Sequence, residues 1–402
     1  MTRISLLPLS LLVVAAGCVS TQSSDMPESS VTLPGAYETS VEADPALPDT
    51  ALWWSSFGDN SLDGLVDRAL QQNKSLEAGL ANVISARAAL RVAESNALPS
   101  VSAGANASTD SESDFSDFSR SARLSASYQL DLFGSVAASR EAAGASLDSA
   151  EFAQRALELS IASDLATNYF NLQVAREQLA VARDNLEIAE RIFEIVEVRY
   201  DAGEISGFDL ASQEAALANS RAQIPQIEQQ ILSLRTAIAI LVGQAPQQFE
   251  VAETDLYETN LPVPAAGLPS ELLVRRPDLL QAEADLRGGQ ANVHVARAAM
   301  LPSIDLGAGV TTLLTSMSDP TASLSAALSQ TIFSGGALEA QLDSARARRT
   351  ALLANYEQAI LTALREVDVA LSAINTSAQR EAQLDIALAA SRKALDSAEL
   401  RY

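Results

Sequence analysis

Cysteine and histidine, two residues that often perform covalent or acid–base chemistry, are scarce in this chain. It has one cysteine, Cys18, and one histidine, His294, so no internal disulfide and no Cys-rich metal site can form. His294 lies in a helical run just before ARAAMLPS, where a structural imidazole is expected rather than a catalytic one. Two pairs of carboxylates lie where nothing would hold them in catalytic geometry: Glu38 with Glu42 and Asp114 with Asp117. We therefore predict no enzyme activity, no cofactor and no metal site.

The start of the chain predicts export. Arg3 precedes an apolar run, Ile4–Ala16, that is too short to span a bilayer and is typical of a signal peptide. The run ends in Ala-Ala-Gly-Cys, and small residues before a cysteine resemble a lipobox. We predict a signal peptide at 1–17 and lipidation at Cys18, with an ordinary secretory signal as the alternative. The cysteine is followed by Val19 rather than by Asp, which resembles bacterial lipoproteins that are sorted to the outer membrane.

Composition and charge narrow the class of protein. The chain has 51 Asp and Glu against 27 Lys and Arg, a formal net charge of -24, which argues against binding nucleic acid. Hydrophobic residues reach 48% while aromatic residues stay at 5%. This balance favours long helices that pack through alanine, leucine and valine.

The chain contains two copies of one unit. Ala97-Leu98-Pro99-Ser100 recurs as Met300-Leu301-Pro302-Ser303, and Val198-Arg199-Tyr200 recurs as Leu400-Arg401-Tyr402. We predict a Ser- and Pro-rich tether at 18–58, a first repeat at 59–249, a linker at 250–269 and a second repeat at 270–402.

Each copy begins with a predicted strand pair, at 100–133 and at 303–333. Apolar and polar residues alternate, as in Val101, Ala103, Ala105 and Ala107. Alternation of this kind predicts strands with one apolar and one polar face. It fits a soluble hairpin and a transmembrane barrel strand equally well. Four strands cannot close a barrel, so the strands are either soluble or shared by several chains.

Long helices follow the strands. A first helix is predicted from about Asp59 to Ala97, and 136–242 reads as an antiparallel coiled coil whose turn is 202–206. Apolar residues recur every seven positions, for example Leu165, Leu172, Leu179 and Leu186. Pro225 is expected to bend the returning helix. A last helix is predicted at 336–402.

Together these features are similar to the TolC family of outer-membrane efflux proteins, in its NodT/OprM-like lipoprotein branch. Four segments resemble short motifs of that branch, in chain order: Trp53–Asp59 (WW..FGD), Tyr128–Gly134 (YxLDLFG), Arg199–Leu210 (RYxxGxxxxxDL) and Ser270–Leu279 (SELLxRRPDL). The resemblance covers residues 10–402. It implies a mainly α fold with a small antiparallel β part, in which three chains form a twelve-stranded barrel above an α-helical tunnel.

The resemblance also implies function and sites. The expected function is that of a passive outer-membrane duct that works with a periplasmic adaptor and an inner-membrane RND-type pump, anchored by lipid at the outer membrane. Asp209, with its acidic neighbours Asp201 and Glu204, matches the periplasmic gate. Gly203, Ile205, Ser206 and Gly207 match the tip that would meet the adaptor.

Two expectations remain open at this stage. The family pattern continues past the arginine–tyrosine pair that ends this chain, so we expect the second repeat to be cut short at Tyr402. The alternative function is a non-conducting coiled-coil lipoprotein that bridges envelope layers. The residues do not name a substrate, whether drug, metal or protein.

Overall fold

The computed structural model describes residues 29–39, 52–109, 119–256, 259–263, 266–314 and 319–399. The fold is mainly helical with one antiparallel sheet, as predicted. The helices are α1 Asn60–Gln72, α2 Lys74–Ser95, α3 Ser135–Asp201, α4 Gly207–Leu241, α5 Leu272–Arg275, α6 Pro277–Ala298 and α7 Ala337–Glu399. The strands are β1 Ser100–Ser108, β2 Ser119–Leu130, β3 Ser303–Leu313 and β4 Thr321–Ser329.

The chain divides into two compact units, and each draws on both sequence copies. The first contains Met1–Thr32, Val83–Phe152 and Asp278–Thr362, and therefore the whole sheet. The second contains Leu33–Asn82, Ala153–Pro277 and Ala363–Tyr402. The division of the chain into two repeats and a linker remains a prediction.

The sheet has the strand order β1-β2-β3-β4, and every pair is antiparallel. Both predicted hairpins are present, with Ala103 opposite Leu124 in the first and Ala308 opposite Leu324 in the second. The central pairing of β2 with β3 joins the two copies and was not predicted. The strand ends are earlier than the predicted 133 and 333, since β2 ends at Leu130 and β4 at Ser329.

The predicted coiled coil is present as α3 and α4. Helix α3 runs for 67 residues and α4 for 35. Leu165 and Leu172 are fully buried, and Leu179, Leu186 and Phe193 are half-buried, so the seven-residue seam is confirmed. Pro225 lies inside the continuous helix α4, so it does not end that helix. The bend expected there remains a prediction.

The prediction of a single helix from Asp59 to Ala97 is wrong, because the helix is interrupted at Asn73. This residue is extended, with φ -63° and ψ 127°, and separates α1 from α2. Its side-chain oxygen accepts the backbone N–H groups of Ser75 (2.8 Å) and Leu76 (3.2 Å) at the start of α2. Its side-chain nitrogen donates to the carbonyl of Leu241 at 2.8 Å, near the end of α4. One buried amide thus caps one helix and ties it to another.

The core of the second unit forms around a polar anchor. The Tyr169 hydroxyl is fully buried and donates to Oδ2 of Asp59 at 2.6 Å, while Oδ1 of Asp59 accepts the N–H groups of Ser61 and Leu62 at the start of α1. The same hydroxyl lies 2.7 Å from Oγ1 of Thr254 in the linker. The aromatic side chains packed around this anchor are Trp53, Trp54, Phe57 and Phe170.

The linker is tied to α3 by further hydrogen bonds. Arg176 donates to the carbonyls of Val251 (2.7 Å) and Ala252 (3.0 Å), and Gln173 donates to that of Ala252 (3.0 Å). Gln173 itself is buried. The segment 251–254 is therefore a fixed part of the second unit, and burial of its polar groups is compensated by hydrogen bonds.

Candidate functional site: the hairpin tip and the strand sheet

The turn between α3 and α4 is built from a left-handed glycine and a capping box. Gly203 has φ +76°, a conformation that favours glycine, and its N–H donates to the carbonyl of Tyr200 at 2.8 Å. The N–H of Glu204 donates to the carbonyl of Arg199 at 2.9 Å. These two bonds end α3 in the manner of a Schellman motif. The turn predicted at 202–206 is therefore present.

Asp209 is held by Ser206 at the start of α4. The Ser206 hydroxyl donates to Oδ2 of Asp209 at 2.7 Å, and the Ser206 backbone N–H donates to the same oxygen at 3.0 Å. In return Ser206 Oγ accepts the N–H of Asp209 at 3.4 Å. Hydrogen bonds from the Ser206 side chain and backbone hold the pKa of Asp209 below its usual value. The carboxylate is thus charged and exposed, but it also has a structural duty as the partner in a capping box.

The other predicted gate and tip residues surround this capping box. Glu204 forms an exposed ion pair with Arg199 at 3.3 Å, and Asp201 is exposed at the end of α3. Of the predicted contact residues, Ile205 is half-buried, whereas Gly203, Ser206 and Gly207 are exposed. All seven predicted residues therefore lie in one turn or in the helix ends beside it. Their roles as a gate and as an adaptor surface remain predictions.

Sequence reasoning missed an exposed aromatic residue in the same turn. Phe208 follows Gly207 and is 80% exposed. Its exposure could have been predicted, because Phe208 directly follows Ser206-Gly207 and lies outside the seven-residue seam. Cys18, the predicted lipidation site, and the part of the loop at 110–118 lie outside the described residues.

The sheet has two chemically different faces. Register places Val101, Leu124, Val310 and Ala322 on one face. The other face is lined by small polar residues and glycines; its members include Ser102, Gly104, Ser125, Gly307, Gly309, Ser323 and Ser325. Ser102 Oγ and Ser125 Oγ lie 3.0 Å apart on this face.

Both edges of the sheet are open in the part of the chain that the structure describes. There β1 pairs only with β2, and β4 only with β3. All residues of β1 and β4 are exposed, including Leu324 at 87%. The sheet therefore has two unpaired rows of backbone groups and an uncovered apolar face, each of which needs a partner.

The chain matches the family model described as outer membrane efflux protein over residues 65–244 and 268–402. The chain belongs to the outer membrane efflux protein family. It is 34% identical over 420 residues to the pyoverdine export outer membrane protein OpmQ of Pseudomonas aeruginosa. The alignment covers 100% of this chain and 88% of that protein. It is 29% identical to the cation efflux system protein CusC of Escherichia coli, over 92% of this chain and 83% of that protein.

Solved structures of outer-membrane efflux channels have the same fold. The open state of the Neisseria gonorrhoeae MtrE outer membrane channel superposes with a TM-score of 0.81 at 29% identity, covering 94% of this chain and 87% of that one. The outer-membrane channel OprN superposes with a TM-score of 0.80 at 29% identity. The resemblance found in the sequence words is confirmed. This efflux protein is an outer-membrane channel component of an efflux system.

Within the described ranges, no helix is both long and apolar enough to cross a bilayer. The relatives it matches are named as channel or efflux proteins.

Proposed function

We propose that three copies of this efflux protein close one twelve-stranded barrel and act as the passive outer-membrane duct of a tripartite pump. The observation that carries the proposal is the four-stranded sheet with one apolar face, one polar face and two unpaired edges. Unpaired edges are not viable in lipid, and pairing β1 of one copy with β4 of the next removes every edge. Three copies of four strands give twelve, within the size range of outer-membrane barrels.

The two faces of the sheet indicate how such a barrel would lie. The face with Leu124 and Leu324 would contact lipid, and the serine- and glycine-rich face would line a water-filled lumen. In this arrangement the protein performs no chemistry of its own. An inner-membrane RND-type pump would supply the substrate, and a periplasmic adaptor would dock the pump to the hairpin tip.

At the tip, we assign Asp209, Asp201 and Glu204 to the periplasmic gate. Three copies of each would give rings of carboxylates at a constriction, and such rings repel anions and attract cations. Gly203, Ile205, Ser206 and Gly207 would form the surface that the adaptor meets. Cys18 would carry the lipid that anchors the mature protein in the outer membrane.

The substrate is assigned only as a small molecule. The relatives are named for exporting pyoverdine, cations and antibiotics. Relatives of comparable identity thus differ in what they export, so no single substrate transfers to this chain by likeness alone.

Paired cysteines test the closed barrel. Ser102→Cys with Ser325→Cys places thiols on the polar faces of β1 and β4, the two edge strands. A short bifunctional maleimide should join different copies and give a covalent trimer on a denaturing gel. In the control, Ser102→Cys with Ser125→Cys, the thiols face each other within one chain, because these residues are register partners. The control should give cross-linked monomer only.

Conductance in a planar bilayer completes the test. A cross-linked trimer with stepwise conductance would support the duct. A trimer that never conducts would favour the non-conducting structural lipoprotein, and a monomer from both cysteine pairs would refute the shared barrel.

A further inference from the structure

One cation lies on the polar face of the sheet. Register places Arg123 of β2 opposite Gly104 of β1 and Thr311 of β3, both on the serine- and glycine-rich face. Arg120, three residues earlier on the same strand, faces Ala107 and therefore lies on the apolar face. Both arginines are exposed. The two charges are equal, but the strand alternation puts them on opposite sides of the sheet.

The surroundings of Arg123 leave room for a ligand. Gly104 has no side chain, and a methyl group built on it would meet nothing within 4 Å. A methyl group built on Gly309 would lie 3.9 Å from Nε of Arg123 and 3.3 Å from Oγ of Ser323. The arginine therefore extends along glycine backbone beside a serine hydroxyl, in a part of the face that bulkier residues would fill.

Within the strands no carboxylate lies close to this arginine; the described Asp319 lies two residues before Thr321 of β4, two strands away from Arg123. The one acidic residue in β1 to β4 is Asp305, which is six residues along β3 from the partner of Arg123. Six residues of strand correspond to about 20 Å. That distance is about two Debye lengths at 0.1 M salt, so Asp305 does not neutralise the guanidinium through an aqueous lumen.

We propose that Arg123 forms a cationic ring in the lumen that favours anions within the barrel, carboxylate-bearing organic anions among them. This inference rests on the proposed function, because three copies of Arg123 face one lumen only if the barrel closes with its polar face inward. A guanidinium offers two parallel N–H donors that match a carboxylate, and rings of arginine give channels a preference for anions. The ring would act in the barrel, separately from the acidic hairpin tip.

The size of the effect follows from barrel geometry. Twelve strands spaced about 4.8 Å apart and tilted about 40° enclose a backbone radius of about 12 Å. Arginines that lie against that wall are about 10 Å from the axis. The charge of each one therefore acts on an ion at the axis through water, over about one Debye length at 0.1 M salt. Three such charges raise the ratio of anions to cations at the axis about fourfold.

The test compares Arg123→Gln with Arg120→Gln, which removes the same charge from the other face of the same strand. Each variant and the unmodified protein are measured in planar bilayers under a tenfold gradient of potassium chloride, and then of potassium acetate. We expect Arg123→Gln to lower the anion-to-cation permeability ratio about fourfold for both salts. Arg120→Gln should leave this ratio unchanged.

Each other outcome overturns a different part of the reasoning. If both variants lower the ratio equally, or neither does, no ring at Arg123 selects anions. If only Arg120→Gln lowers it, the apolar face lines the pore, and the orientation in the proposed function is wrong. If the cross-linked trimer does not conduct, the proposed function fails and this inference fails with it.

Discussion

Removing the buried hydroxyl of Tyr169 tests the anchor of the second unit. Tyr169→Phe deletes the 2.6 Å hydrogen bond to Asp59 and the 2.7 Å contact with Thr254, and leaves a buried carboxylate with one oxygen uncompensated. Hydrogen bonds to charged groups contribute about 1.5–3 kcal/mol. We expect the variant to lose about that much free energy of unfolding at pH 7.

The pH dependence of this loss identifies its cause. Burial, and then the hydrogen bond to Asp59, raises the pKa of Tyr169 from 10.0 to about 12. A raised pKa means that the folded state keeps the proton while the unfolded state releases it. The contribution is therefore complete below pH 10 and is lost as the pH rises toward 12. It falls by about 1.4 kcal/mol at pH 11 and is nearly intact at pH 9.

The assay is denaturant unfolding of the detergent-solubilised protein at pH 7, 9 and 11, followed by tryptophan fluorescence. The only two tryptophans, Trp53 and Trp54, belong to the same core cluster as Tyr169. The gap between the unmodified protein and Tyr169→Phe should be constant from pH 7 to 9 and narrow at pH 11. Tyr200→Phe, which removes a hydroxyl from an exposed ring, is the control and should open no gap. A gap that stays constant to pH 11 would refute the role assigned to the hydroxyl.

Three further changes test the helix junctions and the tip. Asn73→Ser should keep the cap of α2 but leave the Leu241 carbonyl without its hydrogen-bond donor. We expect the free energy of unfolding to fall by about 1–3 kcal/mol. A variant as stable as the unmodified protein would show that this hydrogen bond contributes nothing. Gly289→Ala, whose methyl group would meet the end of the Leu352 side chain at 2.5 Å, should be less stable than Gly288→Ala, whose nearest contact is an ordinary 3.5 Å. Because the leucine side chain must shift, we expect a difference of about 1 kcal/mol, and equal midpoints in thermal unfolding would contradict this packing. Asp209→Asn should speed amide hydrogen exchange at the first turn of α4 at pH 7. The unmodified protein should show the same loss of protection only when the pH falls below about 4. The reason is that the pKa of Asp209 lies below its usual 3.8, so the charged carboxylate that forms the cap persists above pH 3.8.

Local sequence patterns predicted most elements, and tertiary pairing decided the rest. Alternation located β1 and β3 to within one or two residues, and the seven-residue spacing located α3, α4 and their turn. The break at Asn73 was missed because helical periodicity continues across it. Only its contact with Leu241, 168 residues away, makes the amide a junction. No local pattern could predict that β2 pairs with β3, because these two strands are far apart along the chain.

The candidate site shows the same division between local and long-range information. The sequence Ser206-Gly207-Phe208-Asp209 has the spacing of a capping box, so the structural duty of Asp209 was readable from local spacing. The open space around Arg123 was not readable from local spacing. Period-two alternation assigns a residue to a face, but only the register shows that Gly104 and Gly309 leave the space beside it open.

Burial along the coiled coil indicates that separating the helices at the tip would leave the core intact. The seam residues Leu165 and Leu172 are fully buried near the aromatic cluster, Leu186 is half-buried, and Tyr200 near the turn is 41% exposed. Local stability follows the number of buried apolar contacts, so the helices should open most easily at the tip and least easily at the anchor. The aromatic core cluster lies at the anchor, whereas a buried position farther along α3 is filled by the small residue Ala182. A gate at Asp209 would therefore lie at the end of the hairpin where separating two helices costs least.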